Sequence, residues 1–153
     1  MIGLVSVDLG ELAHLPNVVF VGPQPYLSLP GWVKAFDVAL QPYLLNSQTI
    51  HANPLKLREY LAAGKPVVSI SIPEVERFAP CVGTANNYEE FLLRIEEALA
   101  TDSDECRAAR QALVANMSWE ARAAEAWGIV EERMRHGSAE SRHGAALARE
   151  CPQ

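Results

Sequence analysis

The chain has 153 residues, 49% of them hydrophobic, and a formal net charge of −6. This length supports one globular core, and the acidic balance encodes no general attraction to nucleic acid or anionic lipid, so any phosphate binding must be local. The three cysteines are widely spaced, which argues against a disulfide framework and a zinc site. The N-terminus has no basic signal-peptide segment, and no apolar run is long enough to span a membrane. We therefore expect a cytoplasmic protein.

Three short apolar runs bounded by glycine and proline predict the first strands, at residues 2–7, 17–21 and 37–41. Residues 29–36, between the second and third runs, predict a short helix. A strand, a helix and a further strand in this order imply a right-handed crossover and parallel pairing.

The next helix has well-marked ends. Asn53 is a good N-cap and Pro54 a good first helical residue, while Gly64 can adopt the left-handed conformation after the last turn and Pro66 stops the helix. The helix runs directly into residues 66–70, whose β-branched, uncharged sequence is typical of a parallel strand that is covered on both sides.

Two faces of this helix differ in chemistry. Leu57 and Leu61 share an apolar stripe, whereas Lys56 and Glu59 share a charged one, because residues three or four apart lie on the same face. A helix N-terminus beside a parallel sheet can bind a phosphate. The helix therefore suits a ligand site better than a simple core.

The remaining elements continue the alternation. The sequence predicts a helical turn at residues 73–78, a last strand at 81–84, and a helix capped by Asn87 with an acid three residues later. Its apolar stripe is Phe91, Ile95 and Leu99. Further helices begin near Ser103 and Ser118, and residues 137–153, poor in large apolar side chains, predict a disordered or weakly helical tail.

This alternation favours an α/β domain over residues 1–136, with a Rossmann-like, doubly wound parallel sheet flanked by helices. In such folds ligands bind beyond the carboxyl ends of the strands. The loop at residues 41–53 follows one of those ends.

Four separated segments carry a resemblance to a known family: residues 17–22, 35–42, 54–68 and 118–119. In their order and spacing they resemble the C-terminal half of GT-B glycosyltransferases, and most of all the family-four-type enzymes of bacterial cell-surface polysaccharide synthesis, such as the teichuronic acid transferases. The likeness covers about residues 2–133. It implies that the chain is the half of a hexosyltransferase that binds a nucleoside-diphosphate sugar as cosubstrate, without a resident cofactor or metal.

The resemblance also implies roles for individual residues. The acid that matches Glu59 accepts hydrogen bonds from ribose hydroxyls, a task suited to the two oxygens of a carboxylate. Lys56 matches a position near the diphosphate, where a cation offsets the negative charge of the leaving group. The amides at the start of the helix, around Pro54 and Leu55, would steady the same phosphates.

One departure concerns the sugar. Many family members carry a second acid eight residues before the ribose-binding one, and this chain has His51 there. Thr49, His51 or Asn53 could hydrogen-bond a hexose hydroxyl instead. The identity of the sugar therefore cannot be read from the sequence.

A second departure concerns completeness. Family members have another strand and helix before the strand that matches residues 2–7, and a whole acceptor-binding domain before that. We therefore expect a fragment or one half of a split enzyme. Alone, it should bind a nucleotide weakly and should not catalyse transfer. Peripheral membrane association is expected only as part of the full enzyme. A missing strand exposes a sheet edge, which predicts self-association.

The pattern leaves simpler alternatives open. Glu59 could be a solvated helix acid paired with Lys56 or Arg58, Lys56 could be an ordinary surface lysine, and the helix could be the partner surface of a non-catalytic α/β interaction module. Asp102 and Asp104 resemble an Asp-x-Asp metal motif, but they lie where a helix begins, which favours capping.

Overall fold

The computed structural model describes the backbone of residues 1–147 and the side chains of residues 1–135. The chain divides into two compact units, Met1–Leu113 and the residues from Val114 onward, and each is described by itself.

A three-stranded parallel sheet lies at the centre of the first unit. Its strands are β1 (Ala39–Gln41), β2 (Val67–Ile70) and β3 (Gly83–Ala85), in the order β1-β2-β3. The register places Gln41 beside Ser69 and Ser69 beside Thr84. The chain therefore has the predicted α/β architecture, a parallel open sheet flanked by helices that is consistent with a Rossmann-like fold.

The α-helices of the chain are α1 (Leu29–Lys34), α2 (Leu55–Ala62), α3 (Pro73–Glu76), α4 (Tyr88–Thr101), α5 (Asp104–Val114) and α6 (Trp119–Leu147), with 3-10 turns at Gly10–His14 and Tyr26–Ser28. Of these, α2 and α4 pack against the sheet of the first unit. All six α-helices lie where the sequence predicts a helix or helical turn. The capping prediction for α4 is also confirmed, because the side-chain oxygen of Asn87 accepts from the Glu90 amide at 2.8 Å.

The two faces of the sheet hold different residues, because side chains alternate along each strand. Val68 and Ala85 pack with Phe91 of α4 on one face. Gln41 and Ser69 project from the opposite face. α2 contributes the fully buried Leu57 and Leu61 to the interior of this unit.

The C-terminal end of α2 is fixed tightly. Gly64 has a φ of +74°, and the amides of Gly64 and Lys65 donate to the carbonyls of Leu61 and Tyr60, which is a Schellman motif. The predicted left-handed glycine is thus confirmed. Arg110 of α5 donates to the Gly64 carbonyl at 2.9 Å, and a Cβ on Gly64 would lie 2.4 Å from the Cγ of Arg107.

The first strand predictions are wrong. Residues 2–7 and 17–21 form no strand; a single parallel bridge joins Ile2 and Gly22, and no residue of 1–38 is buried. Two short segments paired only with each other have no covered face to fill, so their apolar residues stay exposed or only partly buried.

Three smaller corrections follow from packing. The last strand occupies residues 83–85 rather than 81–84. Leu99 is 58% exposed, and Ala98 packs on the core in its place. The described strands lie side by side in chain order, so they lack the reversal of strand order that defines a doubly wound sheet.

The second unit is dominated by α6, which has 29 residues. The Ser118 hydroxyl accepts from the Ala121 amide at 3.1 Å at its start, and Trp119 and Trp127 are exposed. The helical backbone of α6 continues past residue 137, where the sequence predicts the start of the tail. Residues 148–153 lie outside the described part of the chain, so the prediction of a tail at residues 137–153 stays a prediction. No helix within the described residues has the length and hydrophobicity needed to cross a membrane.

Candidate functional site

The candidate site lies where β1 ends and α2 begins. β1 ends at Gln41, a loop covers residues 42–54, and α2 then returns along the sheet to the start of β2. Because α2 links two parallel strands, its N-terminus lies at the carboxyl edge of the sheet and its C-terminus at the amino edge. The seven predicted site residues all fall on this loop and the first turns of α2.

The second turn of α2 is anchored by Arg58. Its guanidinium donates to Glu74 at 2.5 Å and to the Asn53 side chain at 2.5 Å, and it lies 5.1 Å from the centroid of the Phe78 ring. Burial alone would raise the pKa of Glu74, but hydrogen bonds from Arg58 and Arg77 hold that pKa below its ordinary value. Arg58 is therefore a structural residue.

Glu59 and Lys56 contrast with this arrangement. Both side chains are exposed, and neither takes part in an ion pair or side-chain hydrogen bond among the described residues. The alternative of a solvated helix acid agrees with the exposure of Glu59, but neither proposed ion pair forms, since Arg58 pairs with Glu74 and no ion pair joins Glu59 to Lys56 in the described part of the chain. The Glu59 carboxylate is consequently available to a ligand.

The N-terminus of α2 differs from the prediction. The helix begins at Leu55, and Pro54, buried and extended, precedes it without any side-chain cap. Asn53 is not the N-cap because Arg58 takes its side-chain oxygen. The backbone amides of Leu55 and Lys56 make no hydrogen bond among the described residues, so two N–H groups at this helix end are free to bind an anion.

Two tyrosines outside the predicted set belong to this region: Tyr60 follows Glu59 in the chain, and Tyr43 interacts electrostatically with Tyr60. Burial raises the pKa of Tyr60, and the nearby Glu59 carboxylate and Tyr43 raise it further; burial also raises the pKa of Tyr43. The Tyr60 ring meets Phe36 edge to face at 6.2 Å. Tyr43 comes two residues after β1 and Tyr60 next to Glu59, a placement that could have identified both. The raised pKa favours a neutral phenol at Tyr60, next to Glu59.

Hydrogen bonds within the loop before α2 stabilise its conformation. The Thr49 hydroxyl donates to the Leu44 carbonyl at 2.6 Å and accepts from the Asn46 amide at 2.9 Å. His51 Nδ1 donates to the Ser47 carbonyl at 2.9 Å, which leaves Nε2 of the exposed ring for a ligand. Among these predicted sugar contacts, His51 keeps a free polar atom, whereas Thr49 is engaged within the loop.

A concavity lies at the amino edge of the sheet, opposite the edge that holds the candidate site. It has a volume of about 560 Å³ and is lined by the amino ends of β2 and β3 together with α4 and α5. Its charged groups are paired with one another: Arg94 with Glu97, and the buried Arg110 with Asp102. Asp102 thus serves an ion pair, and its neighbour Ser103 caps α5 by accepting from the Cys106 amide.

The thiols and acids form no metal centre in the described part of the chain. Cys81 and Cys106 are free and line the amino-edge cavity, while Cys151 lies outside the described residues. No group of three or more His, Cys, Asp or Glu side chains among the described residues is arranged to hold a metal ion.

Comparison with known proteins gives one informative similarity. The chain is 33% identical over 104 residues to a Bacillus subtilis (strain 168) protein described as "Putative teichuronic acid biosynthesis glycosyltransferase TuaH". The similarity covers 65% of this chain and 26% of that protein, so the chain spans about a quarter of its relative. No family model matches the sequence, and no solved structure matches it. The chain is therefore related to a glycosyltransferase over most of its length.

Proposed function

We propose that this chain is the donor-binding part of a GT-B, family-four-type glycosyltransferase that transfers a hexose from a nucleoside diphosphate to a saccharide or lipid-linked acceptor. The single observation that carries the proposal is the Glu59 carboxylate, exposed and unpaired on a helix whose neighbouring Arg58 is fully engaged. The relative's description points to polysaccharide biosynthesis as the process.

Glu59 would bind the ribose. Two vicinal hydroxyl donors match the two oxygens of one carboxylate, and such charge-assisted hydrogen bonds are stronger than neutral ones. Tyr60, the next residue in the chain, places no competing positive charge beside Glu59.

The diphosphate would bind at the N-terminus of α2. The unbonded amides of Leu55 and Lys56 and the positive end of the helix dipole favour an anion there, and the exposed Lys56 ammonium adds a full charge. These groups would oppose the charge that develops on the leaving diphosphate.

The hexose would lie against the loop. His51 would offer Nε2 to a hydroxyl, while Thr49 and Asn53 would act by holding the loop and the helix entrance in place. The acceptor would be bound by a further domain or a partner subunit, so the isolated chain would not turn over.

Titration of the purified chain with UDP, GDP and ADP, followed by ligand-observed NMR, tests the donor site. We expect weak saturable binding of at least one diphosphate and a loss of about tenfold or more in Glu59→Ala, as for charge-assisted hydrogen bonds. Glu96→Ala, which removes an exposed acid of α4, is the matched control and should bind like wild type. Binding that Glu59→Ala leaves unchanged would remove Glu59 from the site.

Lys56→Ala separates the phosphate contact from the ribose contact. It should weaken binding of the nucleoside diphosphate but not of the nucleoside, whereas Lys34→Ala on α1 should affect neither. Equal weakening for nucleoside and diphosphate would contradict the role given to Lys56.

Self-association would use the outer edge of β1. β1 is an edge strand of the described sheet, and Leu40 is 46% exposed. Such an edge offers unpaired backbone groups to another chain. Light scattering over a wide concentration range should show oligomers that Leu40→Lys reduces, and a monomer throughout would rule this out.

A further inference from the structure

Gln41, the last residue of β1, carries a buried polar group without a partner. Its side chain is 6% exposed, and Oε1 is inaccessible to solvent and accepts no hydrogen bond from any described residue. Native proteins pair nearly all buried polar atoms, because an unpaired one loses its hydration without compensation. An unpaired buried amide oxygen therefore calls for a functional explanation.

The position of Gln41 connects it with the candidate site. Strand alternation places its side chain on the face shared with Ser69, opposite α4, and at the carboxyl edge of the sheet. Tyr43 lies two residues further along the chain and interacts electrostatically with Tyr60, the neighbour of Glu59. Gln41 thus ends its strand at the edge where the sugar nucleotide would enter.

Ser69, the partner of Gln41 on the neighbouring strand, does not satisfy this amide. The Ser69 hydroxyl donates to the Ile70 carbonyl at 2.9 Å and approaches the Gln41 backbone carbonyl at 3.4 Å, not the side chain. Ala39 and Val67, on the same face, are buried and apolar. An apolar side chain of equal length would fill this position without the cost of an unpaired oxygen.

We propose that the Gln41 carboxamide is a specificity-determining contact whose Oε1 accepts a hydrogen bond from an N–H or O–H group of the sugar nucleotide. This inference rests on the proposed donor site. The terminal torsion of glutamine is broad, so a rotation of the carboxamide turns the oxygen towards an entering ligand. The donor group belongs either to the nucleoside or to the hexose.

Gln41→Met tests the proposal through stability and binding together. Methionine keeps the length and approximate volume of glutamine and removes the unpaired oxygen, so the melting temperature should rise by about 3 °C or more. Binding of the nucleotide should weaken about tenfold, as expected for one lost hydrogen bond. Gln41→Leu provides a second apolar variant, and Glu96→Met, at an exposed position of α4 outside the site, is the control that should change neither quantity.

The ligands in this experiment are UDP, UDP-glucose, GDP and GDP-mannose, measured by ligand-observed NMR. If the Gln41 variants bind both the free diphosphate and its sugar ester more weakly, the contact belongs to the nucleoside. If they bind only the sugar ester more weakly, the contact belongs to the hexose. Both outcomes support the proposal.

Three outcomes overturn it. If both apolar variants bind like wild type, Gln41 makes no ligand contact, although the donor site itself stands. If both lower the melting temperature, Oε1 has a structural partner and its burial needs no ligand. Failure of wild type to bind any of the four ligands removes the donor site and this contact with it, a result distinct from a defect confined to Gln41 variants.

Discussion

Residues 1–38 and residues 39–110 are both rich in Val, Leu and aromatic side chains, yet only the second segment contains buried residues. The first has a single parallel bridge between Ile2 and Gly22, and Leu4 and Leu27 are 82% and 91% exposed. The second builds a three-stranded sheet with covered faces. The comparison teaches that an apolar run becomes a strand of a core only where neighbouring elements complete its faces.

Truncating one leucine in each segment gives the largest expected difference. Leu61→Ala, at a fully buried position, should lower the free energy of unfolding by about 2–5 kcal/mol, because it leaves a cavity. Leu27→Ala should change it by less than about 0.5 kcal/mol. Urea unfolding monitored by circular dichroism measures both, and equal losses would show that residues 1–38 pack as tightly as the sheet.

Glycines sharpen the same contrast. Gly64→Ala should cost about 2 kcal/mol or more, since φ is +74° and the new Cβ would meet Arg107 of α5. Gly31→Ala in α1, where nothing lies within 4 Å of an added Cβ, is the matched control and should be neutral or stabilising. The midpoints of chemical denaturation measure both effects. An unchanged midpoint for Gly64→Ala would contradict the close packing of α5 against the end of α2.

The ion pair of Arg58 and Glu74 predicts how stability depends on pH. The pKa of Glu74 is lowered in the folded protein, so its contribution is present above the unfolded pKa of about 4.3 and is lost as pH falls through the folded pKa. Glu74→Gln should cost about 1 kcal/mol at neutral pH and should flatten the acid limb of the profile. Urea unfolding between pH 7 and pH 3 tests this, and parallel profiles for wild type and variant would count against it.

The smallest expected effect concerns the exposed side of α2. Glu59→Ala should leave the free energy of unfolding within about 0.5 kcal/mol of wild type, because Glu59 is exposed and has no ion pair. Arg58→Ala, one residue earlier, should be clearly destabilising because it removes the anchor to Glu74 and Phe78. A large stability loss in Glu59→Ala would indicate a structural role for this acid.

Among the site predictions, those for isolated side chains depended on contacts that the sequence does not contain. Asn53 looks like a helix cap, but Arg58 reaches back to its side chain, and the same guanidinium reaches Glu74, sixteen residues later in the chain. Tyr43 and Tyr60 carry no motif, and although Tyr60 follows Glu59 in the chain, the interaction of Tyr43 with Tyr60 arises only when the end of β1 and α2 are packed. Likewise, Gln41 is an ordinary polar residue until the fold buries its amide oxygen without a partner.

The sequence by itself determined the helix positions, the caps at Asn87 and Gly64, and the parallel α/β alternation, because these depend on side chains within a few residues of one another. Tertiary structure alone decided which apolar runs became strands, which charge of α2 was engaged and which stayed free. Burial and ion pairing join residues distant in the chain, and their free energies depend on the neighbours that folding supplies.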